Sequence, residues 1–147
     1  MATLPAKAQE PILDFTNDKA NGRDQTCLIY VTEDGALHQR PGTNELSSFG
    51  AGGRPGRLEV TATHNSFKLS IEQPFGFRVA PQDGNQNVVF TSSFSGTGAT
   101  NFSLRPGNER QKLQIGTTHV EAHLVADRGG DSFPAGTYQA QLTVRCE

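Results

Sequence analysis

The sequence lacks several features that define common classes of protein. It has no tryptophan, one methionine and two cysteines among 147 residues, and its 13 basic residues do not exceed its 15 acidic ones. A formal net charge of −2 gives no basic excess for nucleic-acid binding. No apolar run approaches the roughly 20 residues of a membrane-spanning helix, and no segment carries an apolar stripe at helical spacing. We therefore expect no nucleic-acid partner, no membrane insertion and no helical fold.

What the sequence does contain is a repeated alternation of apolar and polar residues. Its 16 glycines and 8 prolines separate the alternating segments, as expected for short strands joined by tight turns. Period-two alternation is typical of strands that bury one face. It occurs in residues 27–31, 58–62, 67–71, 120–126 and 138–146. The pattern predicts an all-β protein, an immunoglobulin-like antiparallel β-sandwich of roughly seven to ten strands over residues 27–147, with residues 1–26 as an N-terminal arm and linker.

The same alternation predicts which side chains form the core. The inward parity places Phe75 and Val79 on the same buried face as Phe77, across Gly76. The residues expected to be largely buried are Ile29, Val60, Leu69, Phe77, Leu124, Tyr138, Leu142 and Val144.

The two cysteines lie near the two ends of the predicted sandwich. Cys27 opens the first strong strand and Cys146 ends the inward face of the last one. Because the first and last strands of an antiparallel sandwich can be neighbours, a Cys27–Cys146 disulfide is geometrically reasonable. The alternative is two buried free thiols, since unpaired cysteine packs as a small hydrophobe. The disulfide would close a loop of about 120 residues and would indicate an oxidising compartment such as the periplasm, a cell surface or a virion exterior.

The N-terminal arm contains one apolar segment, EPILDF, within residues 10–16. A polar stretch of residues 16–26 separates this segment from the predicted sandwich. It could form an edge strand of its own sandwich, or it could add a strand to a neighbouring copy. We expect donation to a neighbour, and the residues expected to contact it are Pro11, Ile12, Leu13 and Phe15. The preceding residues Ala6-Lys7-Ala8 resemble the small-residue site cut by signal peptidase, although no apolar region precedes them.

The histidine-rich segment THVEAH is the strongest candidate for a chemical site. On a strand it places His119, Glu121 and His123 on one face. The two histidines would then stand about 13 Å apart, too far for one ion with metal–nitrogen bonds near 2 Å. The glycine-rich residues 50–57 lack the ending of a phosphate-binding loop. We therefore predict no metal site, no cofactor and no catalytic residues, and a non-enzymatic protein.

At its C-terminal end the sequence resembles a known family. The segment GTTHVEAHLVADRGGDSFPAGTYQAQLTV, residues 116–144, is similar to the C-terminal signature of bacterial pilin-like and spore-coat-protein-U-like surface proteins. The matching positions are Gly116, Thr117, Ala135, Gly136, Tyr138, Thr143 and Val144. The resemblance covers about a fifth of the chain. It implies an immunoglobulin-like sandwich, secretion, and assembly into surface fibres by donated N-terminal strands.

These observations favour one function and leave others open. The expected function is a structural subunit of an extracellular fibre or surface coat that polymerises by donating its N-terminal strand. Its partners would be other copies of itself, with a periplasmic chaperone in transit and a host surface as further partners. The alternatives are a secreted or periplasmic β-sandwich module that binds a glycan or protein, a structural or decoration protein of a virion, and, ranked last, a hydrolase or metalloenzyme.

Overall fold

The computed structural model describes residues 4–8 and 25–147. Every regular element in these residues is a β-strand, and none is a helix long and apolar enough to cross a membrane. The strands are β1 Leu4–Ala8, β2 Cys27–Glu33, β3 Gly35–Gln39, β4 Glu45–Ser47, β5 Gly56–Ala62, β6 Lys68–Glu72, β7 Val89–Gly98, β8 Phe102–Pro106, β9 Gln111–Lys112, β10 Gly116–Asp127 and β11 Ala140–Cys146.

The first layer of the fold is built on β10, the longest strand. One side of β10 pairs with β5 and then β4, and the other side pairs with β7. The edge strands β2 and β8 pair with β5 and β7 respectively. All these pairings are antiparallel, so the layer runs in the order β2–β5–β10–β7–β8.

The second layer has the order β3–β1–β11–β6–β9. Strand β4 pairs with both β3 and β10, so it connects the two layers. The layers also meet at β6 and β7, where the hydroxyl of Ser92 donates to the carbonyl of Ile71 at 3.0 Å. The predicted all-β antiparallel sandwich is confirmed. Among the described strands, β1 and β11 form the one parallel pair.

Side chains from both layers form a single core. The structure buries nearly all of the predicted core residues: Val60, Leu69, Phe77, Leu124, Tyr138, Leu142 and Val144. Ile29 is only partly buried, because β2 is an edge strand with a neighbour on one side. Alternation within a segment therefore predicted the inward face correctly, but it did not predict how completely an edge strand is covered.

The prediction for the segment around Phe77 was partly wrong. Phe77 is buried, but Phe75 is fully exposed and Val79 is 40% exposed. The backbone here forms bends and an isolated bridge at Val79 rather than a strand. The backbone N–H of Phe77 donates to the side chain of Asn85 at 2.6 Å, and the Asn85 amide donates back to the carbonyl of Phe77 at 3.2 Å. Side chains alternate between two faces only within a strand. Outside a strand, Phe75 need not lie on the same face as Phe77.

The core assignment predicts a large loss of stability on truncation of Leu69 or Leu142. Both side chains are almost completely buried, so each change to alanine removes apolar contacts and leaves a cavity. We expect the free energy of unfolding to fall by roughly 2–5 kcal/mol for each variant in urea denaturation. Leu104 is 50% exposed on β8, and Leu104→Ala is the matched control with an expected loss below about 1 kcal/mol. Equal losses in all three variants would contradict the assignment.

Candidate functional site

The site that the fold sets apart is the space between β3 and β11, which we call the β3–β11 gap. Strands β3 and β11 are not paired with each other in the described part of the chain, and β1 lies between them. Strand β1 is antiparallel to β3 and parallel to β11. It covers strand edges that would otherwise present unpaired N–H and C=O groups to other chains. An N-terminal segment thus completes this layer.

The pairing of β1 is short on both sides. It is in register with β3 from Leu4 to Ala6 and with β11 from Ala6 to Ala8. Ala6 is therefore the one residue of β1 with a registered partner on both neighbours. Pro5 carries no backbone N–H, and proline in a sheet occurs mainly where no donor is needed. The backbone ladder that holds β1 in the gap is consequently small.

The start of β3 is fixed by a close approach to the chain before β5. Ala36 exchanges two backbone hydrogen bonds with Arg54, at 2.9 and 3.0 Å. At Gly35 an added Cβ would lie 2.7 Å from the backbone nitrogen of Gly56. No side chain fits there, so glycine permits this contact. One wall of the gap is thereby held against the first layer.

The other wall of the gap, β11, is anchored by the disulfide. Cys27 and Cys146 are bonded, with their Cα atoms 6.3 Å apart, and both residues are buried. The predicted bond is present, but its two strands are not paired neighbours. Strand β2 pairs with β5, while β11 pairs with β1 and β6. The disulfide therefore joins the two layers and ties the end of β11 to the edge strand β2.

The chain before β11 is held by an aromatic cluster. The Tyr138 hydroxyl donates to the carbonyl of Pro134, four residues earlier. Its ring packs edge-on against Phe77 at 4.9 Å and against Phe133 at 5.5 Å between ring centroids. Burial raises the pKa of the Tyr138 phenol, although nearby Arg128 opposes this shift. The phenol therefore stays protonated and keeps its hydrogen bond at neutral pH.

The residues predicted to form the donated strand cannot be placed in this site. Pro11, Ile12, Leu13 and Phe15 lie outside the described residues, so their contact with another copy stays a prediction. The strand found in the gap is Leu4–Ala8, which sequence reasoning did not predict. The segment LPAKA contains none of the β-branched or aromatic residues that are enriched in strands. No local signal would have found it.

The outward side chains of β10 form a second feature, a depression of about 260 Å³ on the first layer. We call it the polar depression. Arg57 pairs with Glu121 at 2.9 Å and with Glu33 at 3.2 Å, while His119 lies 3.7 Å from Glu59. Its lining includes Arg57, Glu59, Ser95, Thr97, His119 and Glu121. Arg57 thus forms ion pairs with carboxylates of two neighbouring strands, and His119 lies beside a third carboxylate.

His123, the third residue of the predicted histidine row, contacts a different group. Its Nδ1 lies 2.8 Å from the hydroxyl of Ser48, which accepts a hydrogen bond from the backbone N–H of Leu124 at 3.0 Å. The imidazole stacks on the ring of Phe49 at 3.9 Å. The three residues of the row therefore have three separate sets of partners. In the described residues no group of three or more His, Cys, Asp or Glu is arranged to hold a metal ion.

The Ser48–His123 pair has the residue types of a nucleophile and its base, but its geometry serves packing. Ser48 is only 2% exposed, and its hydroxyl is occupied by the bonds to His123 and Leu124. A catalytic base is normally oriented by a third group, and no carboxylate in the described residues is hydrogen-bonded to His123. The pair links Ser48, which directly follows β4, to strand β10. It therefore helps to hold β4 in place, and β4 in turn pairs with β3.

Comparisons with protein-family models, with curated proteins and with solved structures find no match to this chain. The similarity of residues 116–144 to pilin-like and spore-coat-protein-U-like proteins is therefore still a prediction.

The disulfide gives a direct chemical prediction. Alkylation of the unreduced protein should add no mass, and reduction should expose two thiols, as measured by intact mass spectrometry. Reduction should also lower the free energy of unfolding by about 5 kcal/mol, because the bond closes a loop across 119 residues of sequence. The double variant Cys27→Ala/Cys146→Ala controls for the reductant and should match the reduced protein. Two reactive thiols in protein prepared under oxidising conditions would contradict the structure.

The His123 contacts predict a component of stability that depends on pH. Burial lowers the pKa of His123, Arg57 lowers it further, and Glu121 opposes the shift. The folded state therefore resists protonation, while the unfolded histidine titrates near about 6.5. The stabilisation is complete above that pH and is lost as the pH falls below it.

We expect the urea midpoint of the wild type to fall between about pH 7 and about pH 5, and to fall less steeply in His123→Gln. His64→Gln is the matched control, because His64 lies in an exposed turn and bonds the neighbouring Ser66, and it should retain the wild-type slope. An identical slope in His123→Gln would show that His123 does not carry the effect.

Proposed function

We propose that this protein is a non-enzymatic structural subunit of an extracellular fibre or surface coat, and that it polymerises when the N-terminal arm of one copy enters the β3–β11 gap of the next. The observation that carries the proposal is that an N-terminal segment, Leu4–Ala8, fills that gap. A strand that completes a sheet from outside the sandwich is the arrangement used in β-strand addition.

The length of the connection permits exchange between copies. Residues 9–24 separate β1 from the described part of the sandwich. An extended chain spans at most about 3.3–3.6 Å per residue, so these residues could reach roughly 55 Å. That reach allows the arm to enter its own gap or that of a neighbour. In the proposal, residues 10–16 pair in the neighbour's gap, with Leu13 and Phe15 entering its core.

The short ladder of β1 favours the same conclusion. Because β1 has only three registered residues on each wall, and one of these is a proline without an N–H, the backbone ladder that opposes its departure is short. A longer apolar segment from another copy would gain more strand pairing and more buried apolar surface. The arm of a single copy is thus a weak occupant that a neighbour's arm can replace.

Two further observations support an immunoglobulin-like surface protein. The Tyr138 hydroxyl bonds back to the chain before the last strand, as does the tyrosine corner of immunoglobulin-like sandwiches. The Cys27–Cys146 disulfide is typical of proteins in oxidising compartments. We infer secretion to the cell surface, with passage through the periplasm, where a chaperone could occupy the gap until assembly. A host surface is a further partner of the assembled fibre.

Deletion of the arm tests the proposal. Full-length protein should form oligomers or fibres in size-exclusion chromatography and negative-stain microscopy, whereas the variant lacking residues 1–16 should remain monomeric. A peptide of residues 1–16 should bind that variant and raise its melting temperature, because it completes the open layer. Peptides of residues 3–9 and 10–16, compared separately, identify the segment that binds more tightly.

A variant with residues 17–24 scrambled is the matched control for this deletion. It keeps the arm and the linker length, so it should assemble like the full-length chain. Donation would be excluded if the deletion variant still formed the full-length assembly. It would also be excluded if full-length protein stayed monomeric and the deletion merely lowered its stability.

A further inference from the structure

The polar depression is a row of side chains brought together from four strands. Glu59 of β5 is in register with Tyr30 of β2 on one side and with His119 of β10 on the other, and His119 is in register with Thr97 of β7. Directly opposed residues of antiparallel strands have Cβ atoms about 4.5–5.5 Å apart. Tyr30, Glu59, His119 and Thr97 therefore form one continuous row, in which Glu59, His119 and Thr97 line the depression and Tyr30 lies next to Glu59, just outside the lining.

Both sides of the depression carry an irregularity in the sheet. Strand β2 has an extra residue, Thr32, where its register with β5 shifts, and the β7–β8 ladder shifts register around Ser95. Thr32 and Ser95 both line the depression. Bulges bend a strand, redirect side chains and are over-represented beside functional sites. The bulge in β2 places Thr32 on one side of the depression, while Ser95 on the other side stays in regular register with Glu121 of β10.

The ion pairs hold hydrogen-bonding groups at fixed positions on this face. Arg57 contacts Glu33 through Nε and Glu121 through Nη1, and its guanidinium has further N–H donors. The carboxylates have lone pairs beyond those used in the ion pairs. The depression thus offers both donors and acceptors whose side chains are already restrained, which lowers the entropic cost of binding.

Charge and exposure narrow the class of ligand. The row and its neighbours include the carboxylates of Glu33, Glu59 and Glu121 and the single guanidinium of Arg57, so an anion is repelled. The ring of Tyr30 is 67% exposed at the end of the row. An exposed aromatic ring beside paired donors and acceptors suits a ligand with one apolar face and many hydroxyl groups.

We propose that the polar depression binds a neutral saccharide. The Tyr30 ring stacks on the apolar face of one sugar ring, while Glu59 and Arg57 of the neighbouring strand exchange hydrogen bonds with its hydroxyl groups. Glu121, Thr97 and Ser95 line the position of a second ring. Binding at this face does not require polymerisation, because the β3–β11 gap lies in the other layer.

The test is an NMR titration of the purified full chain with cellobiose, maltose, lactose and chitobiose, and with a sulfated heparin disaccharide as the anionic comparison. At least one neutral disaccharide should shift the backbone amide signals of residues 57–59, 95–97 and 119–121 with millimolar affinity. Tyr30→Ala and Glu121→Gln should each weaken that binding by about tenfold or more. Heparin disaccharide should leave these signals unchanged.

Two matched variants control for the loss of an exposed ring and of an ion pair. Phe75→Ala removes a fully exposed aromatic ring elsewhere, and Glu72→Gln breaks the Glu72–Arg145 pair, which has the same 2.9 Å distance as Glu121–Arg57. Both should bind as the wild type does. The proposal is overturned if no neutral disaccharide shifts these signals, if heparin disaccharide binds more tightly, or if the control variants lose binding equally. A variant is compared only where its amide spectrum shows the native fold.

Discussion

Backbone hydrogen bonding across the β3–β11 gap is the constraint on which the rest of the structure depends. Buried N–H and C=O groups must find partners, and neighbouring strands lie about 4.8 Å apart. The walls of the gap must therefore be held with room for one strand between them. The contact of Gly35 with Gly56 fixes β3, while the disulfide at Cys146 and the hydroxyl bond of Tyr138 fix the two ends of β11. These three contacts hold the two walls of the gap in place.

Local alternation predicted the parts of the fold that depend on local sequence. The inward faces of β5, β10 and β11 follow from period two, because each strand buries one face along its whole length. Alternation failed where the backbone leaves the strand, as at Phe75, and where no alternation exists, as in β1. The sequence also predicted the Cys27–Cys146 bond, but not that it joins opposite layers, because strand order is set by long-range pairing. Pairing between distant segments leaves little trace in a single sequence.

The polar depression could not be predicted for a related reason. The sequence shows His119 and Glu121 two residues apart, and the spacing alone indicates only that His119 and His123 cannot bind the same metal ion. Their partners, Glu59 and Arg57, come from a strand some sixty residues earlier and depend on the register of β5 against β10. A shift of one residue would move every one of these side chains to the other face. Tyr30 likewise reaches the edge of the depression only through the register of β2 against β5.

The gap and the polar depression lie on different layers, and this separation has a consequence for an assembled form. An arm that enters the gap of a neighbour covers the edges of β3 and β11 and leaves the outer face of β2, β5, β10 and β7 uncovered. A polymer built in this way would present the depression once per subunit at a regular spacing. Repeated weak sites raise apparent affinity through high effective concentration, by about 10² to 10⁴ when the spacing matches the ligand. A saccharide bound at millimolar affinity by one subunit would then be held firmly by a fibre, so strand donation and sugar binding, if both occur, would make a surface adhesive.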